Sequence, residues 1–318
     1  MSGIYGNTTW ECVKDPPYYR STIGIVVDWV IFFVGLPEVC LAGYALISLL
    51  KKDRAAPIFA INLLLSDLLQ ISVTLVFIVS RFFDNVFLPF VGARCVTRLL
   101  VRLGLCAGLN FMVLISVERY LMVAYPVWYH TKNNAKVPIL VSTGVWTLSL
   151  TYATLDYVLL AQTNSSLFVF SIICLLPAPL LVGFFTATWM ALHKRKIIRQ
   201  EGKKRQRVLG ALSLVLGIYI VLFLPFSFRN LYYSIKNETE TEDVVRDLSS
   251  VLTSALVYLS PLVDPFIYVF MRKDIKDTIE AFPCCRKLLA CQHGLTDSTQ
   301  GETSLDHLQV VEGVSKSM

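Results

Sequence analysis

Apolar residues in this chain do not alternate, nor do they keep to one stripe of a helix. They run on for twenty residues or more, seven times over, at roughly 23–50, 56–82, 92–125, 137–160, 167–193, 206–233 and 246–270. A helix needs about 20 mostly apolar residues to cross the hydrocarbon of a bilayer, where only helices and closed barrels satisfy their own backbone. The pattern predicts an all-α membrane protein, a seven-transmembrane helix bundle over residues 23–270. Segments 1–22 and 284–318 flank it as polar ends, and the short connections leave no room for a second folded domain. Just past the last run, Met271, Ile275, Ile279 and Phe282 recur at helical spacing among Arg272, Lys273 and Lys276. That spacing predicts a short amphipathic eighth helix over 271–283, lying on the membrane surface.

Composition agrees. Of 318 residues, 55% are hydrophobic and 16% charged, whereas soluble domains carry roughly a quarter charged residues. Residues 1–20 lack an apolar core, so no cleavable signal peptide is expected. Charge placement orients the bundle. Basic residues crowd one set of connections, at Lys51, Lys52 and Arg54, at Lys132 and Lys136, and along His193 to Arg207. The positive-inside rule puts these in the cytosol. The sequons at Asn7, Asn164 and Asn237 fall in the opposite set, and such sites are glycosylated on the outer face. Both signals expect the N-terminus outside and the C-terminus inside. The net charge of +6 is thereby read as loop charge facing anionic lipid, and no nucleic acid is expected.

The third run ends in Glu118, Arg119 and Tyr120, with Pro126 close behind. The second contains Asn62-Leu-Leu-Leu-Ser-Asp67, the fourth carries Trp146, and the seventh closes with Asp264-Pro-Phe-Ile-Tyr268. With seven spans in this orientation, the chain resembles the rhodopsin-like (class A) G-protein-coupled receptors over about residues 20–285. The Asp264, Pro265, Tyr268 form, with Phe223 where many members have tryptophan, resembles the branch holding nucleotide, lysophospholipid and proton-sensing receptors. The resemblance implies a multi-pass plasma-membrane receptor, not an enzyme, that transmits an extracellular ligand to a heterotrimeric G protein. It also implies arrestin and receptor kinases acting through the C-terminal tail, where Thr296, Ser298, Thr299, Thr303 and Ser304 lie near Asp297 and Glu302. Cys284, Cys285 and Cys291 beside the amphipathic helix are candidates for palmitoylation.

Several positions depart from the family pattern. Gly35-Leu-Pro-Glu-Val39 has valine where the first helix usually carries asparagine. Gly108 stands where a sodium-coordinating serine would be, which argues against a sodium site on Asp67; no metal and no cofactor is expected. The fifth span lacks the tyrosine expected near its inner end, Phe185 and Ala187 being nearest. The second outer loop has no cysteine. A bridge from Cys12 to Cys95 is one expectation; two free thiols is the other. Together these departures keep open a decoy or non-signalling receptor.

Arg94, Arg98 and Arg102 recur every fourth residue and share one helix face. Arg102 lies about 25 Å from Arg119 along the helix, near the outer boundary of the hydrocarbon, and Arg229 reaches a comparable level on the sixth span. Guanidinium forks suit carboxylate and phosphate oxygens. One reading is a cationic outer pocket of Arg98, Arg102 and Arg229, with Tyr258, for a small anionic ligand such as a lipid acid, lysophospholipid or nucleotide. Arg81 ends the second span, and the other reading is internal pairing, with Asp156 at a similar depth and Asp84 and Asp247 nearby. All four histidines, His130, His193, His293 and His307, fall on the cytosolic side, so acid sensing would rest on carboxylates such as Asp67, Asp156 or Asp264.

Intramembrane carboxylates are functional by default. Asp67 and Asp264 lack the Gly-x-Gly-Asp context of a two-aspartate protease, and residues 246–270 hold no lysine for a retinal Schiff base. No repeated halves suggest a transporter. Pro225 after Phe223, and Pro265, are expected pivots for the sixth and seventh helices. At the cytosolic end, Glu118 is expected to restrain Arg119 as a latch, the competing reading being a static anchor.

Overall fold

The computed structural model describes residues 17–52, 57–82, 91–127, 129, 136–157, 165–194, 202–236 and 244–271. Among these, helix is the only regular secondary structure. Seven helical spans are long and apolar enough to cross a membrane: Thr22–Tyr44, Ile58–Arg81, Val96–Ala124, Lys136–Leu155, Phe168–His193, Val208–Lys236 and Asp247–Ile267. These are called spans one to seven. Each coincides with one apolar run of the sequence. Cys12, the three sequons, the palmitoylation candidates, the surface helix after Met271 and the tail lie outside the described residues.

Prolines break the helices in defined ways, because each removes a backbone donor and crowds the carbonyl four residues earlier. Span one contains a π-helical turn, Ile31–Gly35, immediately before the helix Leu36–Lys52 and its Pro37. Span six has the same arrangement, with the π turn Tyr219–Phe223 preceding Leu224–Lys236 and Pro225. Span five is two helices, Ser165–Leu175 and Pro177–Lys194, and span seven is Val244–Tyr258 followed by Ser260–Met271. Near the break in span five, Tyr219 donates its hydroxyl to the Cys174 carbonyl at 2.7 Å, tying span six to span five.

Span three is the axis of the packing. Its helix, Val91–Ala124, packs against Ile58–Phe82, Pro177–Lys194 and Lys136–Leu155. Leu105, Ala107, Leu109, Phe111, Met112 and Ile115 are all buried. Lipid is as apolar as leucine, so helices associate through close fit and small residues rather than by escaping water. Gly104 supplies that fit, since a Cβ there would stand 2.9 Å from Gln70 Cγ on span two. Phe33, Leu140, Leu148 and Val221 point outward, as lipid-facing residues should.

Candidate functional site

At the end of the bundle where span one begins, a short helix, Pro17–Arg20, packs against Val244–Tyr258. Ser21 makes the turn: its hydroxyl donates to the Tyr18 carbonyl at 2.7 Å and accepts from the Gly24 amide at 3.0 Å. A Cβ on Gly24 would run into the Tyr18 carbonyl oxygen, so only glycine permits the fold-back. Tyr18 is 1% exposed, stacks on Tyr258 with ring centroids 4.7 Å apart and donates to Asp28 Oδ1 at 3.0 Å. Tyr19 shares a 2.7 Å hydrogen bond with the Tyr258 hydroxyl, and its ring lies 4.2 Å from that of Phe77. Burial pushes the Tyr18 and Tyr19 phenols up well above the ordinary range, so both keep their protons. Arg81 closes the group. Its Nη2 donates to the Tyr19 carbonyl at 3.1 Å, and its Nη1 approaches Asp28 Oδ2 to 2.8 Å as a close ion pair rather than a directed hydrogen bond.

Deeper in, Arg102 lies between spans three, four and five. Its Nε is 3.6 Å from Asp156 Oδ2, with the Arg102 side chain 13% exposed, and its guanidinium carbon sits 3.8 Å over the Phe170 ring. The pairing expected as an alternative is therefore present, but it is long. Charge-assisted N–H···O bonds run about 2.7–2.9 Å. Among the described residues no hydrogen bond reaches the two terminal nitrogens of Arg102. Arg229, on span six, donates from Nε to Ser249 Oγ at 3.2 Å and from Nη1 to Asn230 Oδ1 at 2.9 Å. Its Cζ lies 5.1 Å over Tyr233. Arg98 is half-buried on span three, with interactions of its own.

In the middle of the bundle Asp67 and Asp264 are both buried, at 0% and 1% exposure. Among the described residues, neither Asp67 oxygen, nor Asp264 Oδ1, has a hydrogen-bond donor. Ser260 donates to Gln70 Oε1 at 3.4 Å nearby, and Gly108 faces Ser66 Oγ. Asn62 accepts from Trp146 Nε1 at 2.9 Å and donates to Ser142 Oγ at 3.2 Å, joining spans two and four. Phe223 is buried at the end of the π turn, one turn from the buried Tyr219, and its ring stacks with that of Tyr219. Pro225 and Pro265 lie within helices of spans six and seven. Tyr268 and Cys95 are on helices, and their side chains fall outside the described set.

At the opposite end the latch differs from expectation. Glu118 and Arg119 make no ion pair with each other. Glu118 Oε1 instead accepts from the Tyr129 hydroxyl at 2.8 Å, and Arg119 Nη1 reaches only the Met122 sulfur at 3.9 Å. Adjacent residues on a helix point about 100° apart, so an i, i+1 pair is poorly placed to meet. Burial, and then the Glu118 carboxylate, push the Tyr129 phenol up, which keeps it a donor. Tyr120 packs its ring against Phe184 and Tyr125.

Tyr18, Tyr19, Asp28 and Tyr129 are among the residues that the sequence pattern does not mark. Asp28 left a usable signal, being a carboxylate within the first apolar run. Tyr129 left none, since its partner is eleven residues away across a turn.

A seven-span bundle with an Asn62–Trp146 bond between spans two and four, a buried Asp67, a span seven broken at Leu259 with Pro265 inside its second helix, and Glu118-Arg119-Tyr120 closing span three has the architecture of a seven-helix membrane receptor. The model of the "7 transmembrane receptor (rhodopsin family)" matches residues 40–268, and the chain belongs to that family. It is thus a multi-pass G-protein-coupled receptor and not an enzyme. Similar curated proteins include proteinase-activated receptor 2 of Bos taurus, 26% identical over 291 residues covering 83% of this chain and 72% of the relative. Lysophosphatidic acid receptor 4 of Mus musculus is 25% identical over 307 residues, 87% of this chain and 80% of its own length. Free fatty acid receptor 3 of Rattus norvegicus is 27% identical over 283 residues, 77% and 81% of the two chains.

Proposed function

We propose that this receptor sits in the plasma membrane with its N-terminus extracellular and responds to a small anionic ligand, a lipid acid, lysophospholipid or nucleotide. The observation that carries this is Arg102: a mostly buried guanidinium whose nearest carboxylate is 3.6 Å away and whose terminal nitrogens have no acceptor among the described residues. A bidentate anion would give it the short bonds that Asp156 does not. Arg98, on the same helix face as Arg102, and Arg229, on span six, would add to the positive field. Two relatives are named for anionic lipids and a third for activation by proteinases, so the choice of ligand class rests on Arg102 rather than on the relatives.

In this reading the ligand favours one of two bundle arrangements, and it can do so only through its different affinity for them. The breaks before Pro225 and at Leu259, with Pro265, are where spans six and seven would turn, opening a cytosolic cleft beside Arg119 for a heterotrimeric G protein. Receptor kinases and arrestin would act on the tail. The test is a panel of lipid acids, lysophospholipids and nucleotides read by guanine-nucleotide exchange, with Arg102→Ala and Arg229→Ala at matched surface levels. Loss of the response to an anionic agonist in Arg102→Ala is the expected result. A full response in both variants would reject the pocket.

A further inference from the structure

The hook formed by residues 17–21 carries an inference that does not depend on the ligand. Its two tyrosines are held as a bound peptide is held. Tyr18 fills an aromatic slot against Tyr258 with a carboxylate at the far end for its hydroxyl. Tyr19 fills a second slot against Phe77 and meets the Tyr258 hydroxyl. A guanidinium reads the main-chain carbonyl between them and the turn. The recognising residues, Asp28, Phe77, Arg81 and Tyr258, come from spans one, two and seven. The occupant joins span one through the turn at Ser21, and its side chains reach the slots from the far side of that turn.

We propose that the cleft between spans one, two and seven is a recognition site for a tyrosine-bearing chain segment, and that Tyr18 and Tyr19 are its built-in occupant. Placement gives this a consequence. Tyr258 is the last residue of the helix Val244–Tyr258, immediately before the break that resumes at Ser260. The hook therefore grips span seven at the edge of its own joint and ties it to Asp28 and Arg81. With the hook in place, the segment of span seven on the Tyr18 side is held against spans one and two. With the hook out, Tyr258 and the Asp28–Arg81 pair lose three hydrogen bonds and both aromatic neighbours. A segment of the same chemistry supplied from elsewhere would fit the vacated slots.

The experiment uses purified receptor in detergent, with thermal unfolding as the readout and neither ligand nor G protein present, so its failure leaves the anion reading standing. Receptor lacking residues 1–20 is compared with the full chain, with and without a synthetic peptide of residues 15–21 and its Phe-Phe counterpart. Deletion is expected to lower the midpoint, the tyrosine peptide to restore it and leave the full chain unmoved, and the Phe-Phe peptide to need at least tenfold more. An unchanged midpoint on deletion, equal action of the two peptides, or an equal shift in the full chain would overturn the proposal. Should the deleted chain not fold, Tyr19→Phe, Tyr258→Phe and the double variant decide it in the full chain. The double variant is expected to cost no more than the larger single one, and additive losses would overturn the proposal.

Discussion

Arg81 and Arg102 stand on adjacent spans, each facing an aspartate of another span, yet they are held differently. Arg81 approaches Asp28 to 2.8 Å and donates to the Tyr19 carbonyl at 3.1 Å. Arg102 stands 3.6 Å from Asp156 and rests over Phe170 at 3.8 Å. Topology brings an acid near both, so topology alone does not tell whether an arginine is spent on the fold. Distance and donor count do. The first guanidinium makes two close contacts within the fold, and the second has no carboxylate nearer than 3.6 Å, which is why it is the one proposed for an anion.

The largest effect expected from this contrast is structural. Asp28→Ala strands the Arg81 charge, and removing one partner of a buried pair costs about 3–5 kcal/mol, somewhat less here because the Arg81 side chain is 23% exposed. A large drop in the thermal midpoint of purified receptor is the check. A midpoint within a degree of wild type would mean the pair is not part of the scaffold. Next comes Arg102→Gln, expected to shift agonist potency by at least about tenfold, the equivalent of one hydrogen bond to a charged group, with a smaller drop in midpoint than Asp28→Ala gives, since Asp156 loses a partner only at 3.6 Å. If stability fell as it does in Asp28→Ala, the distinction between the two arginines would collapse.

The third effect lies at the other end. Tyr129→Phe removes a hydrogen bond from Glu118, worth about 1.5 kcal/mol for a charged acceptor, and is expected to raise basal nucleotide exchange a few-fold without altering agonist potency. Unchanged basal exchange at matched expression would leave Glu118-Arg119-Tyr120 a static anchor. Smallest is Trp146→Phe. Loss of its bond to Asn62 is expected to cost about 1 kcal/mol, visible as a modest midpoint shift with signalling intact.

Much of this fold was legible in the apolar runs, since length and hydropathy alone decide what can cross a bilayer. The ends agree within a few residues for spans two and three, which contain no proline. Span five divides just before Pro177 and span seven at Leu259, two residues before Pro261, breaks that the run of apolar residues conceals because both halves are equally greasy. The π turns before Pro37 and Pro225 were likewise invisible: proline marks where a helix must adjust, not which adjustment it chooses. The Asp67 and Trp146 landmarks came from resemblance, and the structure gives Trp146 its reason in Asn62. The hook was missed because four residues are too few for periodicity, and a polar leader of twenty residues looks like solvent. Its meaning depends on Asp28, Phe77, Arg81 and Tyr258 meeting in space, which no local pattern encodes. The Glu118 partner was misread for a related reason, adjacency in sequence having been taken for adjacency of side chains.

The central claim, that Arg102 is held in reserve for an anion while Arg81 is committed to the fold, is tested most directly by thermal shift on wild type and Arg102→Gln. Oleic acid, lysophosphatidic acid and ATP would be set against their uncharged counterparts methyl oleate, monoolein and adenosine. At least one anion is expected to raise the wild-type midpoint where its neutral counterpart does not, and to lose that effect in Arg102→Gln. A stabilising anion that acts equally on both proteins would contradict the claim.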